Sequence, residues 1–286
     1  MSYSETKKKV RHLIYKSNLR SMARRLGLIR IIFAVPNRLS DFEHRVAFFF
    51  HRGRLAAVSV AGHQVTLAVP NFIEFRRAVA MGNEKKIIEP FLKKIRPGDI
   101  VFDVGANVGL YAVFIAKAVG KGGRVVAFEP EHLSRERLKE NIRLNYFENV
   151  LIMNDALGRE KSKRFLKPDK NFASGANVIF ENKEGSEAAG GEEIIVTSGD
   201  MLIKEKALPV PNAIKIDVEG MEDEVLAGLE STLRRPECRL VLCEVHFSNL
   251  EKRGKLEAPK HIEETLRSSG FTSLDWLDHS HILAVK

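Results

Sequence analysis

The 286-residue sequence predicts an α/β fold in which helices cover both faces of a mostly parallel, seven-stranded sheet. Short apolar segments alternate with longer helix-forming segments from residue 100 onward, as strands and helices alternate in such folds. A turn with two glycines follows the first apolar segment. Two further apolar segments near residue 280 are spaced like a closing antiparallel pair.

The glycine turn is the run Asp103-Val104-Gly105-Ala106-Asn107-Val108-Gly109, directly after Ile100-Val101-Phe102. A strand that ends in an acidic residue and turns through two glycines into a helix can hold the polar end of an adenosine-bearing cofactor. The run departs from the dinucleotide pattern G-x-G-x-x-G, because Asn107 and Leu110 occupy the second and third glycine positions, and this disfavours NAD. The carboxylate of Asp103 suits a cationic ammonium or sulfonium ligand, which predicts S-adenosylmethionine; a plain tight turn is the alternative.

The second strand and helix continue the alternation. A helix is predicted over Leu110–Val119, and a buried strand over Arg124–Phe128 follows the glycine-rich residues 120–123. Glu129 ends this strand about 20 residues past the glycine turn, where an acidic side chain can accept hydrogen bonds from both ribose hydroxyls. Alternatively, Glu129 only initiates the next helix ahead of Pro130.

The third unit comprises a helix over residues 133–145 and a strand over residues 150–154. Open parallel sheets bind ligands at the carboxyl ends of their strands. Asp155 is therefore predicted near the adenine amino group, with Ala156 beside the ring. The alternative is that Asp155 only forms the turn before Gly158.

Residues 213–219 read as a charged strand, with Lys215, Asp217 and Glu219 on one side and apolar side chains on the other. Because buried parallel strands are normally apolar on both faces, these charges indicate either a ligand-facing rim or a paired ionic network. The remaining predicted elements are a helix over 221–233, a strand over 239–245 that leads into Glu244-Val245-His246, and antiparallel strands over 271–274 and 282–285.

Three further segments complete the predicted domain. Residues 55–70 alternate as two short strands and predict a small antiparallel entry to the sheet. A helix is predicted from Asn83 to Ile95, and Glu84 near its start is a candidate cofactor contact. Residues 159–212 form an insertion above the ligand edge of the sheet, where acceptor specificity is expected.

Four blocks resemble the FkbM-type family of S-adenosylmethionine-dependent methyltransferases, and they extend over residues 84–250 or so. The blocks are residues 102–111 around the glycine turn, Ala127-Phe128-Glu129-Pro130, residues 214–222 (Ile-Lys-Ile-Asp-Val-Glu-Gly-Met-Glu), and Glu244-Val245-His246. The sequence departs from the family pattern at Glu131-His132 and in the insertion 159–212, which leaves the acceptor unspecified.

The resemblance implies a Rossmann-like class I methyltransferase fold. It places Asp103, Gly105 and Gly109 around the methionine part of the cofactor, with Asn107 in the same turn. It also implies Glu129 at the ribose and Asp155 near the adenine. Asp217 completes the set of candidate cofactor contacts.

Chemistry at such a site is mostly geometric, because the sulfonium is already an excellent methyl donor. A hydroxyl acceptor requires a base, and Glu219, Glu244 and His246 are the candidates in no fixed order. His246 can equally be a structural residue at the strand end. Asp217, Glu244 and His246 could collect a divalent cation, but their spacing matches no dedicated metal motif, so no metal is predicted.

The charge of the chain is unevenly distributed. Its net charge is +9, yet residues 1–54 hold 13 basic and three acidic side chains, so the remainder carries −1. A neutral catalytic part disfavours nucleic acid and favours a small-molecule or glycan acceptor. Residues 7–33 mix basic and apolar side chains, as an interfacial helix, a docking arm or a solvated basic helix does.

The predicted organisation is a basic helical extension over residues 1–54 and a methyltransferase domain over residues 55–286. The apolar stretch 28–35 is too short to span a bilayer and no cleavable signal peptide precedes it, so a cytoplasmic location with peripheral membrane contact is expected. Cys238 and Cys243 are expected to be reduced, buried thiols. The oligomeric state is left open.

The function predicted from these observations is S-adenosylmethionine-dependent O-methylation of a sugar, a lipid-linked glycan or a secondary metabolite. The alternatives are methylation of tRNA or protein, a non-catalytic scaffold that binds the cofactor, and a nicotinamide dehydrogenase.

Overall fold

The computed structural model describes residues 48, 54–81, 84–167, 178–180 and 192–286. The chain divides into two compact units, Met1–Arg52 and Gly53–Lys286, and the description below concerns the second. The predicted basic extension over residues 1–54 lies outside the described residues, apart from Phe48 and Arg54.

The predicted mostly parallel, seven-stranded sheet is confirmed. Its strand order is β12-β13-β11-β10-β3-β4-β5. The first five of these strands in the chain are parallel to one another, and the last two form the predicted antiparallel pair at one edge. The strands are β3 (Ile100–Val104), β4 (Arg124–Phe128), β5 (Val150–Met153), β10 (Ala213–Ile216), β11 (Leu240–Glu244), β12 (Ser273–Trp276) and β13 (His281–Val285).

Helices cover both faces of this sheet in the α/β manner. Its central strands are apolar and buried because neighbours shield them on both faces. The helices are α1 (Phe72–Phe75), followed by a π-helical turn (Arg76–Ala80), α2 (Glu84–Leu92), α3 (Leu110–Val119), α4 (His132–Leu144), α5 (Gly199–Glu205), α6 (Glu222–Ala227), α7 (Glu230–Leu233), α8 (Phe247–Lys252) and α9 (Ala258–Ser268). None of the helices in the described part of the chain is both long enough and apolar enough to cross a membrane.

The core lies between the sheet and the helices that follow it. Phe102 of β3 and Phe128 of β4 pack edge to face with ring centroids 5.3 Å apart. Both are fully buried, as is Leu138 of α4. Burial of such side chains is the main favourable term for folding, so the two strands that carry the glycine turn and Glu129 lie on a rigid base.

The two N-terminal strands, β1 (Leu55–Val60) and β2 (His63–Ala68), form a separate antiparallel hairpin. The prediction that they lead into the main sheet was wrong. Instead, backbone amides of β2 donate hydrogen bonds to side chains. The amide of Thr66 donates to Asn145 Oδ1 and that of Ala68 to Asn141 Oδ1, each at 2.8 Å. Amides of helix α4 thus take the place of a neighbouring strand.

The insertion after β5 forms a second sheet of four strands in the order β6-β9-β7-β8. They are β6 (Ala156–Leu157), β7 (Ser162–Lys167), β8 (Val178–Phe180) and β9 (Glu192–Thr197). A buried ion-pair group ties this sheet to the helices, since Arg164 of β7 bonds Glu224 of α6 at 2.7 Å.

Two predicted elements are shorter than expected. The helix predicted over 221–233 is interrupted between α6 and α7 at Gly228, where an added Cβ would lie 1.8 Å from the carbonyl oxygen of Gly158. The close approach of this backbone leaves no room for a side chain. The strand predicted over 213–219 ends at Ile216, so Asp217 and Glu219 belong to the loop that follows.

Candidate active site

A cavity of about 270 Å³ opens at the carboxyl ends of the parallel strands. Turns that leave β3, β4, β10 and β11 contribute most of its wall, as expected for open parallel sheets. Nine of the twelve predicted site residues line it: Glu84, Gly105, Asn107, Glu129, Ala156, Asp217, Glu219, Glu244 and His246. Asp103, Gly109 and Asp155 do not.

The glycine turn packs tightly on the end of β10. Gly105 has a positive φ of 76°, and a Cβ at this position would lie 1.9 Å from the carbonyl oxygen of Asp217. Only glycine satisfies both conditions. Lys215 Nζ also donates a hydrogen bond of 2.8 Å to the carbonyl oxygen of Gly105.

Asp103 is buried beneath this turn instead of facing the cavity. It lies within β3 in register with Lys215 of β10, and its Oδ1 is 3.2 Å from Lys215 Nζ. Burial lowers the pKa of Lys215, but the charges of Asp103 and Asp217 outweigh burial and raise that pKa above its ordinary value. Asp103 was predicted to contact the methionine part of the cofactor; the structure places its carboxylate beside a buried ammonium and not in the cavity wall.

The carboxylate of Glu129 lies at the cavity wall, where two backbone amides donate hydrogen bonds to it. Its Oε2 accepts from the amide of Asn107 at 2.7 Å, and its Oε1 accepts from the amide of Glu131 at 2.8 Å. Burial raises the pKa of Glu129 to about 7, against the effect of these hydrogen bonds. The glycine turn and the acidic residue after β4 therefore form one rigid unit.

Gly109 serves helix packing. It precedes α3 with a φ of 89°, and an added Cβ would lie 2.5 Å from Leu138 Cδ1 of α4. Gly109 was predicted near the methionine part of the cofactor; in the structure it lies outside the cavity, where it permits a close contact between two helices.

Asp155 is bonded outside the cavity. Its Oδ2 lies 3.0 Å from Lys206 Nζ, and its Oδ1 accepts from Thr197 Oγ1 at 3.4 Å. The next residues, Ala156 and Leu157, line the cavity and are buried. Asp155 was predicted near the adenine; the structure places its carboxylate against Lys206 and Thr197, outside the cavity.

Acidic side chains surround the imidazole of His246 on the opposite side of the cavity. Its Nε2 lies 3.5 Å from Glu219 Oε2, 3.7 Å from Asp217 Oδ1 and 3.8 Å from Glu244 Oε1. Its Nδ1 bonds the buried Glu222 Oε1 at 2.7 Å. Burial lowers the pKa of His246, but the bond to Glu222 and the charges of Asp217 and Glu219 raise it to about 9.

Glu219 occupies an unusual backbone position in this group. Its φ is 54°, a left-handed conformation that costs about 1–3 kcal/mol for a residue other than glycine. Asn249 Nδ2 of α8 holds it by donating to Oε2 at 2.9 Å and to the backbone oxygen at 3.2 Å. Burial, opposed in part by His246, raises the pKa of Glu219 to about 7.

The same group contains possible ligands for a divalent cation. Three atoms that could bind a cation lie within 4.8 Å of one another, one each from Asp217, Glu219 and His246. From the sequence, Asp217, Glu244 and His246 were the residues considered, and their spacing predicted no metal. In the structure Glu219 takes the place of Glu244 in this group.

Sequence reasoning missed several contacts of the site. Glu84 Oε2 accepts from the hydroxyl of Tyr111 at 3.0 Å, and Arg77 lines the cavity. Glu222 orients His246, although its position in the third family block was a usable signal. His281 contacts Glu244 across two strands, which no local pattern could have indicated.

Similarity to known proteins agrees with this geometry. Residues 103–273 match the family described as the methyltransferase FkbM domain. The hexuronic acid methyltransferase AglP of Haloferax volcanii is 29% identical over 187 residues, which cover 65% of this chain and 72% of the relative. The 31-O-demethyl-FK506 methyltransferase FkbM of Streptomyces tacrolimicus is 30% identical over 182 residues, which cover 54% of this chain and 67% of the relative.

Among solved structures, the precorrin-6y C5,15-methyltransferase of Geobacter metallireducens is similar, with a TM-score of 0.42 and 12% sequence identity. The match covers 71% of this chain and 89% of the solved chain. The match to the FkbM domain carries the assignment, because it spans more than half of the sequence. The chain belongs to the FkbM methyltransferase family and is a methyltransferase.

Proposed function

We propose that this enzyme transfers the methyl group of S-adenosylmethionine to a hydroxyl oxygen of a small-molecule or glycan acceptor. One observation carries the proposal: Glu129 lines the same cavity as His246 and the carboxylates around that imidazole. Two backbone amides hold the carboxylate of Glu129 in place.

The residues present fit this cofactor. Ala156, Leu157 and Phe128 offer an apolar surface for an adenine ring. Glu129 offers carboxylate oxygens to ribose hydroxyls, and Asp217 offers a negative charge to a cationic ligand. When bound, S-adenosylmethionine supplies an activated methyl group on a sulfonium.

The protein supplies a proton acceptor and a fixed geometry. The acceptor hydroxyl must lose a proton, and Glu219 is the best placed base to take it. Its carboxylate lines the cavity, and Asn249 holds one of its oxygens. His246 keeps its proton at neutral pH and holds the surrounding carboxylates in place. Glu244 is placed to bind another acceptor hydroxyl.

The names of the two relatives support the acceptor class. One is named for a hexuronic acid and the other for an O-demethylated compound. The near-neutral charge of residues 55–286 disfavours tRNA, which proteins bind by neutralising its phosphates. The basic segment 7–33 is proposed to contact membrane surfaces, and the location is proposed to be cytoplasmic.

The test combines binding with turnover. Calorimetry should detect S-adenosylmethionine binding to the wild-type protein, and release of S-adenosylhomocysteine should require an acceptor such as D-glucuronic acid or methyl glucoside. Tight binding without methyl loss across a broad panel of hydroxyl acceptors would favour a cofactor-binding scaffold. No binding of S-adenosylmethionine would overturn the proposal.

A further inference from the structure

A second histidine stands behind the cavity wall at Glu244. His281 Nε2 lies 3.3 Å from Glu244 Oε2, while the other oxygen of Glu244 lies 3.8 Å from His246 Nε2. His281 is not among the described residues that line the cavity. Its contact with the site therefore passes through Glu244.

The strand register brings the two residues together. Glu244 ends β11 and His281 begins β13, and they are directly paired in the antiparallel register of these strands. The side chain of His281 is 13% exposed and that of Glu244 is 28% exposed, so water screens the contact only in part.

Asp278 fixes the orientation of this imidazole. Its Oδ1 lies 3.0 Å from His281 Nδ1 and also accepts from the backbone amides of Ser280 at 2.8 Å and His281 at 2.9 Å. Burial lowers the pKa of His281, but the contacts with Asp278 and Glu244 outweigh it and raise the pKa to about 10. Both ring nitrogens of His281 thus face a carboxylate, Nδ1 that of Asp278 and Nε2 that of Glu244.

We propose that Asp278 and His281 are positioning residues that hold the carboxylate of Glu244 in place at the cavity wall. The inference rests on the proposed function, in which Glu244 binds the acceptor. A glutamate at the end of a strand has several rotamers, and a fixed hydrogen-bond donor selects one of them. The two residues complete a chain in which Glu244 is contacted by a different imidazole at each oxygen.

Crystal structures of the wild type and of His281→Ala test the positioning directly. The expected result is that the Glu244 carboxylate moves away from its wild-type position in the variant. An unmoved carboxylate would overturn the inference. This readout needs no turnover, so it decides the positioning role even if no acceptor in a broad panel is methylated, a result that would count against the proposed function alone.

Kinetics with D-glucuronic acid as the probe give the second readout. His281→Ala is expected to lower kcat about 10- to 100-fold while the affinity for S-adenosylmethionine stays the same, because an acceptor contact is misplaced by a fraction of an ångström to an ångström. His281→Gln is expected to recover much of the rate, since its side-chain amide can donate to Glu244. His261→Ala is the matched control, because His261 is an exposed histidine on α9.

Equal rates for His281→Ala and the wild type would overturn the positioning role, as would a His281→Gln variant no faster than His281→Ala. If His281→Ala does not fold, Asp278→Asn takes its place in both experiments, because it keeps the shape of the side chain and removes its charge. Asp278→Asn with a wild-type rate and an unmoved Glu244 would then overturn the inference.

Discussion

Lys215 Nζ donates a hydrogen bond of 2.8 Å to the carbonyl oxygen of Gly105, so the middle of β10 holds the glycine turn that follows β3. The same ammonium lies 3.2 Å from Asp103 and 3.5 Å from Asp217. One buried cation thus joins the cofactor side of the cavity to the side that carries the acidic group around His246.

Lys215→Met is expected to destabilise the protein by about 3–5 kcal/mol, because it leaves the buried carboxylate of Asp103 without its partner. The measurement is urea unfolding at pH 7. Lys163→Met is the control, since Lys163 pairs with Glu193 at the exposed surface and such pairs contribute about 0–1 kcal/mol. Similar losses in the two variants would contradict the role given to Lys215.

Glu129→Gln is expected to weaken S-adenosylmethionine binding by about 1–3 kcal/mol, because a neutral amide makes weaker hydrogen bonds to ribose hydroxyls and cannot keep both of its backbone donors. Titration calorimetry measures the change. Glu160→Gln, at an exposed position, is the control. Unchanged affinity in Glu129→Gln would mean that the cofactor site is placed wrongly.

The rate of methyl transfer is expected to rise with pH and to level off above about pH 7, where Glu219 becomes ionised. A carboxylate accepts the acceptor proton only in its ionised form, so the rate is lost as the pH falls through this pKa. Glu219→Gln should reduce kcat about 10²- to 10⁴-fold and remove this rise. A variant that keeps both the rate and the pH profile would exclude Glu219 as the base.

Glu219 is also expected to reduce stability at high pH. Its pKa is raised to about 7 in the folded state, so folding favours the protonated carboxyl group. The free energy of unfolding that this preference adds is present at low pH and is lost as the pH rises through about 7. Glu219→Gln should therefore be more stable than the wild type at pH 8 and show a smaller difference at pH 5. Thermal unfolding at both values is the measurement, and a difference that does not change with pH would contradict it.

Glu224 is expected to have the opposite effect on the pH dependence of stability, because its pKa is lowered in the folded state. Burial raises the pKa of Glu224, but the hydrogen bonds and charges of Arg164 and Lys255 outweigh burial and lower the pKa to about 2. The stability it provides is complete above its ordinary pKa of 4.5 and is lost as the pH falls toward 2. Glu224→Gln should destabilise the protein by about 3–5 kcal/mol at pH 7 and by much less near pH 2 in urea unfolding. An equal loss at both values would contradict this.

Chelation is expected to leave methyl transfer unchanged, because the imidazolium of His246 already stands among the carboxylates that could bind a cation. The measurement compares initial rates after dialysis against EDTA with rates after addition of Mg²⁺. Loss of activity that Mg²⁺ restores would instead assign the group of Asp217, Glu219 and His246 to a metal.

The fold was predictable because its signals are local. Short continuous apolar segments mark the central strands, a period of 3.6 marks amphipathic helices such as α4, and the two glycines mark the turn after β3. The hairpin β1–β2 was misplaced for the converse reason. Its alternation predicted strands, but only the contact with Asn141 of α4 and Asn145 at the end of that helix decides what its edge pairs with.

The candidate site was predictable in outline and not in detail. The carboxyl ends of parallel strands meet at one edge, so Glu129, Asp217 and Glu244 could be expected to share a cavity. The direction in which a carboxylate points depends on its partner. Asp103 is paired with Lys215 and Asp155 with Lys206, and both partners lie in other elements of the fold.

By itself, the sequence determined the sheet, the glycine turn, the acidic strand ends and the family, since each of these is encoded by neighbouring residues. Only the tertiary structure decided which carboxylates reach the cavity, how Glu222 orients His246, and that His281 lies beside Glu244. These contacts join residues far apart in the chain, and their geometry follows from strand register and packing, which no short stretch of sequence contains.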